Sequence, residues 1–154
     1  MNNVYQSNYQ QNINKLLNQY LANVAVLTNK LYNYHWNVVG LSFFPFHTKL
    51  QEYYEETNEM FDEIAERIKQ LEGFPVASLR AYNEMAQIKA VESRNYTDRE
   101  IIIDLVKDFC YMVAITNQII LYASEANDEA TVVLFSDYAV FFEKQLWMLK
   151  AHLK

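Results

Sequence analysis

The sequence predicts an all-α fold, a four-helix bundle with a long crossover between its second and third helices. Three observations predict it. Apolar residues recur at spacings of three and four along four stretches of roughly 25 residues each, the period of helices that bury one face. Gly and Pro number only two each, too few for a turn-rich β fold. Hydrophobic residues make up 51% of 154, enough for the core of one domain, and the whole chain 1–154 reads as a single domain.

The elements follow in order. Residues 1–11 are rich in Asn, Gln and Tyr and read as a flexible N-terminal tail. Ile13, Leu17, Tyr20, Val24, Leu27, Leu31 and Tyr34 make the apolar stripe of the first helix, which Gly40 ends. Pro45 suits the first turn of the second helix, expected from about Pro45 to Leu71 with Leu50, Tyr54, Thr57, Phe61, Ile64 and Ile68 inward. Gly73 is placed as its C′ cap and Pro75 as a stop beyond. FPVASL then reads as a loop, and RAYNEMAQI as a stretch able to form a short helix. Thr97 and Glu100 form a capping box ahead of the third helix, whose stripe is Ile102, Leu105, Phe109, Met112, Thr116 and Ile119. After EANDEA the fourth helix runs from about Asp128 to Leu153, with Leu134, Tyr138, Phe141, Leu146 and Leu149 apolar.

Composition excludes several classes. The net charge of −6 argues against a general nucleic-acid binder. One cysteine excludes an internal disulfide framework; Cys110, in the apolar run DFCYMVAI, reads as a buried core thiol. No basic, apolar leader is visible, which sets the expectation of a cytoplasmic protein, and Thr116, Asn117 and Gln118 interrupt the longest apolar run of the second half, so no membrane span is expected. There is no Gly-rich phosphate loop, nucleophile elbow or CxxC. Twelve tyrosines exceed the needs of one small core, so some are expected at subunit interfaces.

One stretch carries the chemistry. His35 to Ile68 holds two of the three histidines, His35 and His47, and ends in DEIAERI, where Asp62 and Glu66 lie one helical turn apart. Alone, His35 reads equally as a capping or core-edge residue, Trp36 as an interface or core aromatic, and the two carboxylates as solvated helix-face charges. Together, two imidazoles and two carboxylates suit iron(II) or another borderline divalent metal. Fifteen residues of one helix separate His47 from Asp62 by roughly 22 Å, against metal–ligand bonds of about 2 Å. One chain therefore cannot close all four on one ion. The two positions differ by only about 60° around the helix, so two copies packed antiparallel about a two-fold axis would set His47 of one against Asp62 and Glu66 of the other, at two equivalent sites. Di-iron bundles place Glu-x-x-His on two helices; here Tyr32, Phe44 and Leu149 stand three before His35, His47 and His152, so the motif is absent. His152, in the last turn of the fourth helix, reads as structural or surface.

The segments KLYNYHWNVVG, FFPFHTKL, FDEIAERI, the GFPVAS turn and LWMLKAHL resemble the Dps family, the mini-ferritins named as DNA-binding proteins from starved cells, close to its neutrophil-activating branch. The resemblance covers nearly the whole chain from the first helix onward. It implies a ferritin-like four-helix bundle with a short extra helix in the crossover, assembled into a hollow dodecamer. It implies a ferroxidase centre at the two-fold interface, His35 and His47 from one subunit and Asp62 and Glu66 from its partner, that oxidises iron(II), preferably with hydrogen peroxide, and stores ferric mineral. Zinc, manganese or copper can use the same ligands. Trp36 would lie beside the site, placed to absorb stray oxidising equivalents. Asp128, Glu129 and Asp137 fall where relatives line an acidic iron-entry pore, although Val132 and Val133 occupy positions where relatives often carry an acid. DNA binding by such relatives often uses a basic tail; the first twelve residues here have no Lys or Arg, which argues against direct DNA binding at neutral pH. Two other classes stay open at this point, a DNA-compacting shell with an incidental metal site and an immunomodulatory surface.

Overall fold

The computed structural model describes the backbone of residues 2–154 and the side chains from Gln6 onward. Helix α1 spans Asn2–Asn37, α2 Phe43–Gln70, α3 Leu79–Met85, α4 Asp98–Glu125 and α5 Glu129–His152. Two short strands, β1 (Val38–Val39) and β2 (Tyr96–Thr97), pair in parallel. α1 and α2 form one antiparallel hairpin, α4 and α5 another, and residues 71–97 cross between them. Among the described residues no helix is long and apolar enough to cross a membrane.

The predicted stripe of α1 is fully buried from Ile13 to Tyr34. The predicted stripe of α4 is buried too, and the Thr97–Glu100 capping box closes as expected. α2 is rotated from expectation: Tyr53 and Met60 face the core, leaving Tyr54 and Phe61 half-buried toward α1. α5 likewise buries Phe135 and Phe142 rather than Leu134 and Phe141. In such Tyr- and Phe-rich runs two adjacent residues satisfy the same period, and only packing chooses between them. The expected tail, residues 1–11, is helical from Asn2; Met1 lies outside the described residues. Tyr9 explains this extension, since its ring stacks on Tyr122 at 5.5 Å and its hydroxyl donates to Asp128 at 2.8 Å. Cys110 is exposed, not buried: Phe109 takes the inward position and turns its neighbour to solvent.

The end of α2 is a Schellman motif. The N–H of Gly73 donates to Ile68 O at 2.9 Å and that of Glu72 to Lys69 O at 3.0 Å. The left-handed residue is Glu72, with φ 59°, rather than Gly73. A Cβ at Gly73 would come within 2.6 Å of the Asn14 side chain, which would have to shift and give up its present place beside Leu71 O.

The crossover is irregular, so its backbone polar groups need partners outside regular structure. Four asparagines of α1 supply them in order. Asn14 donates to Leu71 O, and Asn18 donates to Phe74 O and accepts from Val76 N–H. Asn23 accepts from the N–H groups of both Gln87 and Ile88, at 2.9 and 3.0 Å. Asn33 donates to Val91 O and Glu92 O, and the β1–β2 pair completes the series. The crossover thus runs along α1 from Asn14 to Asn33. Asn23 is fully buried, and Asn23→Ala leaves the buried Ile88 N–H without an acceptor. The expected cost is about 1–3 kcal/mol, read from the midpoint of urea unfolding.

Candidate metal centre

His35 sits in the last turn of α1 and His47 near the start of α2. The tight link between the helices folds the two rings together, stacked with centroids 3.6 Å apart and planes 21° apart. Each ring is fixed by the other residue's backbone: His35 Nδ1 lies 2.8 Å from His47 O, and His47 Nδ1 lies 2.7 Å from His35 O. A carbonyl oxygen can only accept, so each Nδ1 carries a proton, which in a neutral ring leaves the lone pair on Nε2. Carbonyl partners of this kind orient metal-ligating imidazoles. The bond also serves α1, whose last carbonyls have no partner within the helix. Phe43 stacks on His47 at 5.0 Å, and Tyr54 meets His35 edge-on at 5.1 Å, so ring planes as well as tautomers are held. His35 is buried and His47 half-buried.

Asp62 and Glu66 lie exposed on the same helix as His47, and α2 is continuous between them. At 1.5 Å per residue, Asp62 is roughly 22 Å from His47 along the axis. Among the described residues no three potential ligands cluster within one chain. The fold therefore brings the two histidines together and leaves the Asp62–Glu66 pair apart from them.

Trp36 is 67% exposed and lies beside Tyr32, which stacks on Tyr54 with centroids 4.1 Å apart. Asn58 Nδ2 donates to the Tyr32 oxygen at 2.9 Å. Sequence reading placed Tyr54 in the apolar stripe and gave Tyr32 and Asn58 no part in the site; the signal that marks the last two is their i, i+4 spacing from Trp36 and Asp62. Also unmarked was an acidic row on α2, Glu52, Glu56, Glu59 and Glu63, spaced four, three and four. Burial, with Glu59 and Glu63 nearby, pushes the Glu56 carboxyl above its ordinary value. Tyr138 of α5 donates to Glu63 Oε2 at 2.7 Å.

The three positions considered for a pore separate. Glu129 and Asp137 are exposed on α5. Asp128 is otherwise engaged: it caps α5 by accepting from Thr131 N–H, and it accepts from Arg67, Tyr9 and the Thr131 hydroxyl. Its side chain is only 10% exposed, so it reads as an internal clamp rather than a pore lining. The clamp holds Arg67, and so fixes the turn of α2 that carries Glu66. His152 is half-exposed and lies 3.5 Å from Asp98, a surface contact between helix ends.

Comparison with known proteins agrees with this architecture. A family model described as a ferritin-like domain matches residues 14–154. The DNA protection during starvation protein of Brevibacillus brevis is 39% identical over 145 residues, covering 94% of this chain and 97% of that protein. The antigen TpF1 of Treponema pallidum superposes with a TM-score of 0.93 at 33% identity, over 96% of this chain and 94% of that one. The Dps protein of Vibrio cholerae O1, described as a member of a broad superfamily of ferritin-like diiron-carboxylate proteins, superposes with a TM-score of 0.91 at 37% identity, over 96% and 92%.

The Asp128 clamp makes a prediction with a sign. Burial draws the carboxyl upward, but hydrogen bonds from Thr131 and Tyr9 and the Arg67 charge outweigh it and hold it below its ordinary value. A depressed carboxylate contributes stability that is complete above its unfolded pKa, about 3.9, and is lost as pH falls through the folded value. Asp128→Ala should cost about 2–4 kcal/mol at pH 7. The gap from wild type should narrow below about pH 4, as measured by denaturant unfolding across pH.

Proposed function

The chain belongs to the ferritin-like family and, within it, to the Dps proteins, and from that premise we propose that it is a ferroxidase that oxidises iron(II) and stores the ferric product. The observation that carries this reading is the reciprocal histidine lock. Two imidazoles are held with Nδ1 against a carbonyl, the tautomer that in a neutral ring turns Nε2 to a divalent ion. The carboxylates Asp62 and Glu66, out of reach within the chain, come from a second copy across a two-fold axis. Neutral imidazoles bind iron(II) without the grip of thiolate, and the carboxylates offset the extra charge of iron(III).

Hydrogen peroxide is the proposed oxidant. Two iron(II) ions give one electron each, the O–O bond breaks heterolytically, and the oxygens leave as hydroxide or water. Delivering both electrons avoids hydroxyl radical. Trp36, exposed beside His35, is placed to take up oxidising equivalents that escape. The acidic row of α2 and the exposed Glu129 and Asp137 suit a surface that gathers cations. Twelve copies of this single domain forming a hollow cytoplasmic shell complete the reading. DNA protection, the role in the relatives' names, then follows from removing iron and peroxide, since a chain of net charge −6 repels phosphate. The competing readings, a DNA-compacting shell or an immunomodulatory surface, need no metal chemistry.

The test is iron(II) oxidation by peroxide, followed by near-ultraviolet absorbance, on wild type and on an assembled Asp62→Asn/Glu66→Gln variant. The expected result is rapid oxidation by wild type, falling to the protein-free rate in the variant. Equal rates in both, matching protein-free solution, would overturn the reading.

A further inference from the structure

Four helix ends meet at one end of the bundle. α1 finishes there and α2 begins, joined by residues 38–42, and the second hairpin brings the start of α4 and the finish of α5 to the same place. The link decides whether the two imidazoles can stack, because it sets the end of α1 against the start of α2. It turns on Gly40, whose φ of 112° lies in the left-handed region, and Phe43 N–H donates to Gly40 O at 3.1 Å.

The second hairpin grips this link on both sides of the turn. Before it, Val38 and Val39 pair with Tyr96 and Thr97, and Val38 is buried. After it comes Ser42, at the N-cap of α2. A serine there normally accepts from the N–H two or three residues on. Here the third is Pro45, which has no N–H, and among the described residues the Ser42 side chain makes no cap bond. Its hydroxyl donates instead to the carboxylate of Asp98, the first residue of α4. Asp98 follows β2 directly, and its Oδ1 accepts from Arg99 N–H at 2.7 Å. The first turn of a helix favours a negative charge. α4 is already capped by Thr97 and Glu100, so the Asp98 side chain is spent on the link rather than on its own helix. Asp98 Oδ2 also lies 3.5 Å from His152 Nε2, in the last turn of α5, and the His152 ring stacks on Phe46 at 6.5 Å. Phe46 is buried and immediately precedes His47. One carboxylate therefore reaches the link at Ser42 and, through His152, the turn of α2 that carries His47.

We infer that Asp98 is a positioning residue for the histidine pair, anchoring Ser42 so that the link lays the His47 ring on that of His35. Its consequence for a metal rests on the ferroxidase reading; the ring geometry it controls does not.

The chain has three histidines, so nitrogen NMR of the full chain labelled only in histidine separates the rings. In wild type, His35 and His47 should each show one tautomer, protonated at Nδ1, with ring protons shifted by stacking. Asp98→Ala should mix the tautomers and remove that shift. Asp98→Asn keeps an acceptor for the Ser42 hydroxyl and should restore both. Ser42→Ala should act as Asp98→Ala does, and the double variant should do no more than either single one. Zinc(II) affinity of the assembled protein, read by calorimetry, should fall roughly tenfold or more in Asp98→Ala. Histidine signals unchanged in Asp98→Ala, equally disturbed in Asp98→Asn, or disturbed additively in the double variant would each overturn the inference. Should Asp98→Ala not fold, Ser42→Ala decides alone, and unchanged histidine signals there overturn it. Iron oxidation on the same samples separates the inference from the metal reading. Loosened rings with undiminished oxidation keep the positioning role and remove the histidines from the metal centre. Ordered rings with lost oxidation in Asp98→Ala overturn the positioning role and leave the metal reading standing.

Discussion

A helix advances 1.5 Å per residue and cannot be shortened. That constraint governs everything functional here. It holds the histidine pair and the carboxylate pair of α2 roughly four helical turns apart, so no rearrangement within one chain brings them to a common ion. A rigid rod with unlike features at its two ends is self-complementary when a second copy is turned about a perpendicular axis. The bundle thus acts as a ruler, and the proposed metal site needs two such rulers laid together.

Within the chain, polar groups rather than apolar area decide which arrangement of helices is allowed. Apolar stripes let the hairpins slide; buried polar atoms do not, because each misplaced partner leaves a costly orphan. Lys30, 3% exposed, reaches from α1 to Asp104 and Asp108 of α4, and Tyr34 donates to Asp104 at 2.7 Å. Burial pushes the Asp108 carboxyl upward, and the Lys30 ammonium draws it back. Tyr20 and Thr116 share a buried hydrogen bond of 2.8 Å across the same helices. With the asparagine series, these contacts make α1 the element to which the rest of the chain is registered. The His35–His47 exchange is the last of them, and it is the one on which the proposed metal site rests.

The sequence was legible where one physical demand had one solution. Ile13 through Tyr34 had to face inward because every alternative exposed them. Thr97 and Glu100 had no competing cap. The separation of His47 from Asp62 followed from counting. It was not legible where neighbours could substitute for each other. Tyr53 and Tyr54, or Met60 and Phe61, meet the same helical period, and the choice between them depends on the facing helix. Cys110 lies in an apolar run, yet Phe109 holds the inward place. Asp128 looked like a free acid because its partners, Arg67 and Tyr9, are far away in sequence. The backbone carbonyls that fix both imidazoles carry no side-chain signature at all. At Gly73, a glycine was expected for its conformational freedom; the left-handed residue is Glu72, and Gly73 leaves room for Asn14.

The way the crossover is held has a consequence for how the chain folds. α1 with α2, and α4 with α5, are hairpins of local contacts, which form early and fast. The crossover joins them with only one seven-residue helix of its own, and its polar groups are met largely by α1, which was made first. A completed first hairpin therefore displays a template of amide groups along its length before the second hairpin exists. Threading residues 71–97 onto that template delivers α4 to the correct face and in the correct direction. The hydrogen-bond partners of residues 71–97 are thus set out along α1 in chain order, from Asn14 for Leu71 to Asn33 for Glu92.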